Sequence, residues 1–575
     1  MKFRYDKNTE KLIVSDSTRT EYHQIKIWLE RYVKGYRFMG AFKAGVWNGK
    51  ESYFDDGKVN MGLWKECLKA CKEIGVKFEI ENKEEFPLDR DINIDDLVDF
   101  CDDFFQNHQV RNKEGQWIDF RPHDYQVDTA FKILKNRYCM AEVATSGGKS
   151  LVIALVIFYI LKNVNPDAKF LIIVPSITLV TQFYDDIISY YYGQNNIQNS
   201  FDYTYEIELE NGDVIMKNPN DKITIDKKGE IDVIKLTDKH KIDGVSIKRI
   251  IKNKLDKPLR IEEIMSDKPR KFSGVESPNI YIGCYQSLEK WPKSFFQQFY
   301  MVACDEAHGS KSTTVKAILK KTFGAAHIRF GVSGTFPSDD TLEILTIQSV
   351  LGPKVTQIDA DTLVKRGNIT PMSIKVLLLN HDDKNFNTSL NIAKRSGIGK
   401  DVFNFEKQWI QNSEKRLNFI YKIVEKCEAN TLILFHTIEY GHKILDKIKT
   451  ISGKDFYYID GEINNKSREE IKKQMEVTKD NVKVLVGSYG TLAVGWSVNA
   501  ITNVIFADSF KSEQIVIQAI GRALRKHSEK SVANIFDLVD IFDSSMSNIL
   551  YKHFLEREGF YKKRKYPYKI VKINL

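Results

Sequence analysis

The stretch Ala144-Thr145-Ser146-Gly147-Gly148-Lys149-Ser150 constrains this chain more than any other. Before it, Tyr138–Val143 reads as a strand, and after it Leu151–Leu161 reads as an apolar helix. Strand, Gly-rich turn and helix in that order belong to an open α/β sheet, whose ligand edge lies at the carboxyl ends of the strands. Backbone N–H groups of the turn and of the helix N-terminus then converge, and the paired glycines remove side chains that would block a phosphate. In such a cradle Thr145, Ser146, Gly147 and Gly148 line the phosphates, Lys149 reaches the β/γ-phosphates and the Ser150 hydroxyl ligates Mg²⁺. The general pattern has Gly where this chain has Val143, and taken alone the stretch also reads as a plain Gly-rich helix start.

A chain of 575 residues exceeds one core, so about two to four domains are expected. The apolar runs are too short to cross a bilayer, and Met1–Asp6 has no apolar stretch behind it, so no signal peptide is expected there. Seven scattered cysteines without a metal-ligand spacing read as buried thiols in a reducing compartment. The net charge of +9 suits an anionic partner.

The first ~110 residues read as a separate small α/β unit, with a strand at Lys11–Val14, a helix at Thr20–Tyr32 and a strand at Glu51–Phe54. Between the last two, Tyr36–Lys50 alternates basic and aromatic residues with glycine. Two readings stand open for it. One is a hairpin that lays Arg37, Lys43 and Lys50 along phosphates with Trp47 for stacking; the other is a hairpin whose aromatics fill a small core. Ahead of the cradle, Gln126 has the paired donor and acceptor that suit an adenine edge. After it, Lys169–Val174 reads as a buried parallel strand running into Pro175–Gln182. Residues ~200–275 exceed the usual connecting loop and read as an inserted β-rich module. Its basic tail, Lys248, Arg249, Lys252, Lys254, Lys257 and Arg260, reads as a solvated face or a nucleic-acid contact.

Tyr300–Cys304 is an apolar strand that ends in Asp305-Glu306-Ala307-His308. Adjacent buried carboxylates repel, unless Asp305 holds Mg²⁺ and Glu306 activates the attacking water. From Thr431 a second series of strands and helices begins, and Ser488–Ala500 reads as a loop carrying Thr491, Gly495 and Ser497. Gln518, Arg522 and Arg525 share a helix face by their spacing, and arginines there suit a γ-phosphate. The tail Tyr551–Leu575 mixes eight basic residues and two acidic ones with aromatics, either as a strand-stacking surface or as aromatics packed on the second α/β series with solvated charges.

In order, these pieces resemble the motifs of superfamily 2 helicases, with Thr145–Ser150 as motif I, Pro175–Gln182 as Ia and Tyr285–Leu288 as Ib. Asp305–His308 resembles motif II, Ser333–Thr335 III, Leu434–His436 IV, Ser488–Asn499 V and Gln518–Arg525 VI. The resemblance implies an α/β fold of two RecA-like parallel-sheet domains in tandem, 111–365 and 366–575, behind an N-terminal nucleic-acid-binding domain at 1–110. The insertion at about 200–275 is not part of the family pattern, and Ser497 stands where many relatives have Asp. It further implies ATP and Mg²⁺, with Lys149, Asp305, Glu306, Gln518, Arg522 and Arg525 in catalysis. Ser176, Gln182, Ser287 and Thr491 would contact nucleic acid, and the resemblance favours the phosphate-binding reading of Arg37, Lys43, Trp47 and Lys50. The implied partner is single-stranded and branched DNA, RNA–DNA hybrids being a further candidate. A monomer in the cytoplasm is implied, that of a host cell if the source is viral. Two alternatives stand beside the DNA helicase: an RNA or RNA–DNA helicase, and a strand-annealing protein in which ATP only toggles affinity.

Overall fold

The computed structural model describes residues 1–86, 89–111, 116–195, 203–217, 222–225, 229–237, 239–254, 259–265, 277–381, 383–395, 399–476, 481–493, 500–524, 532–542 and 546–575. Its frame is two seven-stranded sheets in which every pairing is parallel. These are the tandem RecA-like sheets expected from the sequence.

The first sheet runs Ile261–Ile264, Ile280–Cys284, Phe170–Val174, Met301–Asp305, Ile328–Ser333, Tyr138–Val143, Lys354–Ile358. Phe170–Val174 is buried at every position, which explains its unbroken apolar sequence. The helix Lys149–Asn163 is likewise buried all round from Leu151 to Ile160, so it has no polar face. Its burial fixes the preceding loop against the sheet. The second sheet runs Lys454–Ile459, Val482–Ser488, Thr431–Phe435, Asn503–Phe506, Ala533–Ile541, Met372–Asn380, Tyr568–Asn574.

Several boundaries differ from those read in the sequence. Ile261–Ile264 lies within the expected insertion yet pairs in parallel with Ile280–Cys284, so it closes the edge of the first sheet. The rest of that module is a four-stranded antiparallel sheet and a two-stranded hairpin, the β-rich build expected. Helix Ile94–Phe105 belongs with the first sheet, because its Leu97, Cys101 and Phe105 join that core. At the N-terminus the helix stops at Trp28 and Glu30–Tyr32 is a strand paired with Lys50–Ser52. Between those strands the chain is a 3-10 turn, Tyr36–Phe38, and a one-turn helix, Gly40–Lys43, rather than a simple hairpin.

The tail is structural. Ile549–Lys563 is a helix and Tyr568–Asn574 an edge strand on Met372–Asn380, with Tyr561 and Tyr566 buried. Of its cations, Arg557 pairs with buried Asp537 and Lys562 with Glu558. All seven cysteines are buried and none is in a disulfide. Among the described residues, no helix is long and apolar enough to cross a membrane.

Candidate active site

The strands ending at Val143, Ser333 and Asp305 are neighbours in the first sheet, so the loop after the first meets the polar ends of the other two. Gly148 caps the following helix at φ +76°, and a Cβ there would sit 2.2 Å from Gln126 Nε2. Glycine is therefore required on both counts. Ser146, at φ +68°, takes the same left-handed turn without glycine's freedom, a strain of the kind concentrated at functional sites.

Lys149 Nζ lies 2.6 Å from Glu306 Oε1. Glu306 Oε2 is 3.3 Å from His308 Nδ1, which in turn is 2.8 Å from Ser333 Oγ. Motifs I, II and III thus form one hydrogen-bonded chain. Burial disfavours the Glu306 anion, but Lys149 and then His308 outweigh it and hold the carboxyl well below the ordinary range. Asp305 goes the other way: burial pushes it up to about 6, against the pull of Lys149. Its Oδ1 is buried with no hydrogen-bond partner, which is costly in a folded protein. An oxygen-ligated divalent cation suits that orphan atom. The Ser150 hydroxyl, expected beside it on the metal, lies 3.1 Å from Tyr190 Oη.

Gln126 is buried and its amide is engaged inside the protein. Its Oε1 accepts from His123 N at 2.8 Å and its Nε2 donates to Gly147 O at 3.1 Å. Here it braces the phosphate loop, together with Tyr125 Oη, which donates to the same carbonyl.

The second sheet closes on this loop. Helix Glu513–Ala523 carries Gln518 and Gly521, and Ser146 Oγ donates to Gly521 O at 3.2 Å. A Cβ on Gly521 would fall 2.3 Å from Thr145 Oγ1. The backbone of motif VI therefore touches motif I directly. The Arg522 side chain and Arg525 lie outside the described residues, as do Gly495 and Ser497. Sequence reading missed a second bridge. Buried Glu142, one strand residue before Val143, takes Lys354 at 3.3 Å and Arg564 at 3.1 Å. Arg564 also reaches Glu513 at 3.4 Å, so a tail residue ties both sheets together. An acid inside the apolar Tyr138–Val143 strand was the available signal.

The nucleic-acid candidates scatter around the same edge. Ser176 caps the helix Ile177–Tyr192 after the first sheet's Phe170–Val174, with Gln182 half-buried on that helix. Thr491 sits after Val482–Ser488, its Oγ1 2.8 Å from Ser488 Oγ, on a short helix, Tyr489–Ala493, where a loop was expected. Ser287 turns inward, buried and 3.1 Å from Cys284 Sγ, so it presents no surface here. In the N-terminal unit Arg37 and Lys43 are exposed, Trp47 Nε1 donates to Lys50 O at 2.8 Å, and Lys50 pairs with Glu30 at 3.0 Å. In the insertion Lys248 and Arg249 pair with Glu208, Arg260 is exposed, and the Lys252, Lys254 and Lys257 side chains lie outside the described residues.

Two parallel sheets that meet over a phosphate loop, an Asp-Glu pair and a Gln-x-x-Gly-Arg helix define an ATP-driven motor. The chain belongs to the superfamily 2 helicases and is an ATP-dependent enzyme of that class. Residues 119–338 match the family described as type III restriction enzyme, res subunit, and residues 415–527 the helicase conserved C-terminal domain. Over 97% of both chains it is 27% identical to a protein of Enterobacteria phage T4 named ATP-dependent DNA helicase uvsW. The crystal structure of T4 UvsW aligns over 100% of both chains at 22% identity, with a TM-score of 0.44. A type ISP restriction-modification enzyme, LlaBIII, shares the fold over 80% of this chain and 32% of its own, at 13% identity and a TM-score of 0.51.

Proposed function

We propose that this enzyme is an ATP-driven DNA motor that unwinds or branch-migrates forks, junctions and R-loops in replication, recombination and repair. The motor reading is carried by one observation: Lys149, Glu306, His308 and Ser333 form a connected chain under a helix from the second sheet. The DNA reading is supported by near full-length similarity to a protein named as a DNA helicase.

ATP would enter between the sheets with its phosphates on residues 145–150 and its base near Gln126. The γ-phosphate competes with Glu306 for Lys149, because both are anions facing one ammonium. Substrate binding would thus release Glu306, which then orients and deprotonates the attacking water. Ser150 and Asp305 would hold Mg²⁺, which when bound supplies charge neutralisation at the phosphates. Gln518, Arg522 and Arg525 would complete the site from the second sheet, so closure and hydrolysis are coupled. Alternating closure and opening would move Ser176, Gln182 and Thr491 along one strand, with Arg37, Lys43, Trp47 and Lys50 on a duplex arm; buried Ser287 would take no part. The working unit is a monomer of three domains, with the first boundary drawn before Ile94 rather than at 110 because that helix packs in the first motor core, acting in the cytoplasm, a host's if the source is viral.

ATPase and unwinding assays on single-stranded, forked and RNA–DNA substrates separate the readings. A DNA motor hydrolyses ATP in response to single-stranded DNA and unwinds forks. Stimulation by RNA alone would identify an RNA helicase, and nucleotide-dependent binding without unwinding would identify an annealing protein.

A further inference from the structure

The arm between the strands Glu30–Tyr32 and Lys50–Ser52 has two properties that its own folding does not need. Residues 31–50 contain Arg31, Lys34, Arg37, Lys43 and Lys50 and no acid. The arm also packs its own small aromatic core and leaves Phe38, Val46 and, less fully, Met39 outside it. Tyr36 stacks on Tyr32 at 4.5 Å and meets Phe42 edge-on at 4.8 Å. Phe38 is 83% exposed and Val46 79% exposed. An exposed phenylalanine forgoes the burial that would stabilise the arm; Phe38 directly follows the exposed Arg37 in the chain, and Lys43 of the next short helix is exposed as well.

The arm is also firmly mounted. Glu10 and Arg329, both buried, make a bidentate pair at 3.1 and 2.5 Å across 319 residues. Arg329 lies on the strand that ends in Ser333, and its Nε donates to Val350 O at 2.6 Å. Next to the arm's stem, Tyr53 Oη donates to Thr346 Oγ1 at 2.6 Å. Leu345 of the first motor domain sits inside the N-terminal core. A displacement of that motor domain is therefore carried to the arm.

We propose that Phe38 and Val46 form a wedge that stacks against the last base pair of a DNA duplex where its strands part. Base faces are apolar and stackable while the flanking phosphates are anionic, and the arm pairs exposed apolar side chains with cations and no acid between residues 31 and 50. Insertion of apolar side chains between base steps is an established way for proteins to unstack a duplex. The inference rests on the DNA-motor reading and adds the place where the strands separate.

The test uses the full-length chain with Phe38→Ala and Val46→Ala combined, and Phe38→Trp as a second variant. Three readouts are taken: ATPase on single-stranded DNA, unwinding of a fork, and fluorescence of 2-aminopurine placed at the fork's first base pair. The double variant should keep its ATPase rate, lose the 2-aminopurine increase on binding and unwind about tenfold more slowly, the scale of one lost base–aromatic stack. Phe38→Trp should retain all three. Unwinding and fluorescence at wild-type levels in the double variant would overturn the wedge and leave the motor standing. ATPase falling in step with unwinding would overturn it too, by making these side chains structural. If the wild-type chain shows no DNA-stimulated ATPase, the motor reading itself fails.

Discussion

Glu306 occupies a backbone conformation at φ +46° that few non-glycine residues adopt, and this twist turns its carboxylate from the strand's end toward Lys149. Burial raises Asp305 against the pull of Lys149, whereas at Glu306 Lys149 and His308 together outweigh burial. In the proposed cycle Asp305 would hold the cation, and Lys149 would hold Glu306 until substrate arrives. At the same scale Gly521 controls how closely the second sheet approaches. Gly521→Ala would place a methyl within 2.3 Å of Thr145 Oγ1 and force the two motifs apart. Nucleotide affinity should change little, while turnover should fall by about 10²-fold, as expected for misplacement near 1 Å. Steady-state ATPase with a nucleotide-binding titration checks this, and unchanged turnover would show that the contact is dispensable. The loop, the acid pair and the Gln-x-x-Gly-Arg helix were legible in the sequence because their chemistry demands fixed local spacings. The Gly521–Thr145 contact was not, since nothing local to either residue announces the other.

At the scale of elements, two buried charge clusters hold the second sheet and join it to the first. Asp540, on Ala533–Ile541, receives Arg416 Nε and His381 Nε2, both at 2.8 Å. Burial disfavours its anion, but Arg416 and then His381 outweigh that and bring the carboxyl down to about 2. The sign follows from the unfolded value of 3.8: the ionised group stabilises the fold fully above that pH, and the gain is lost as pH falls through about 2. Asp540→Asn strands buried Arg416 and should destabilise this domain by about 3–5 kcal/mol, read as a lower melting temperature at neutral pH. An unshifted melt would mean that the cluster relaxes to water. The Arg564 bridge acts between elements instead. Arg564→Ala should leave each domain's melting nearly unchanged but slow turnover, because it loses charge-assisted bonds made only when the sheets are closed. A loss of about 1.5–3 kcal/mol corresponds to roughly 10- to 150-fold. Arg564→Lys should not rescue it, since an ammonium lacks the fork that spans Glu142 and Glu513. Equal turnover in wild type and Arg564→Ala would remove the bridge from the cycle. The tail's composition suggested stacking on nucleic acid or packing on the second sheet, and the structure shows the packing. Its edge strand pairs with residues nearly 200 positions earlier, Asn574 with Asn380, and such a pairing leaves no local periodicity to read.

For the whole molecule, three bodies work as two. The N-terminal unit shares its core with the first motor domain through Leu345 and the Glu10–Arg329 pair, and the second motor domain meets that combined body at Gly521 and Arg564. Tandem α/β series could be read from strands alternating with helices, whereas the boundary expected near residue 110 falls inside the first motor core, since helix Ile94–Phe105 packs there. The weld between the N-terminal unit and that core could not be read, because an acid and an arginine 319 residues apart look like ordinary surface charges until the fold buries them. The most direct test of an ATP-driven DNA motor is strand displacement from a labelled fork by the wild-type chain and by Glu306→Gln, with Mg²⁺ and ATP. The wild-type chain should displace the strand only when ATP is present. Glu306→Gln should bind the fork and the nucleotide yet displace nothing measurable, because only water activation has been removed. Displacement by Glu306→Gln at the wild-type rate, or by either protein without nucleotide, would contradict the account.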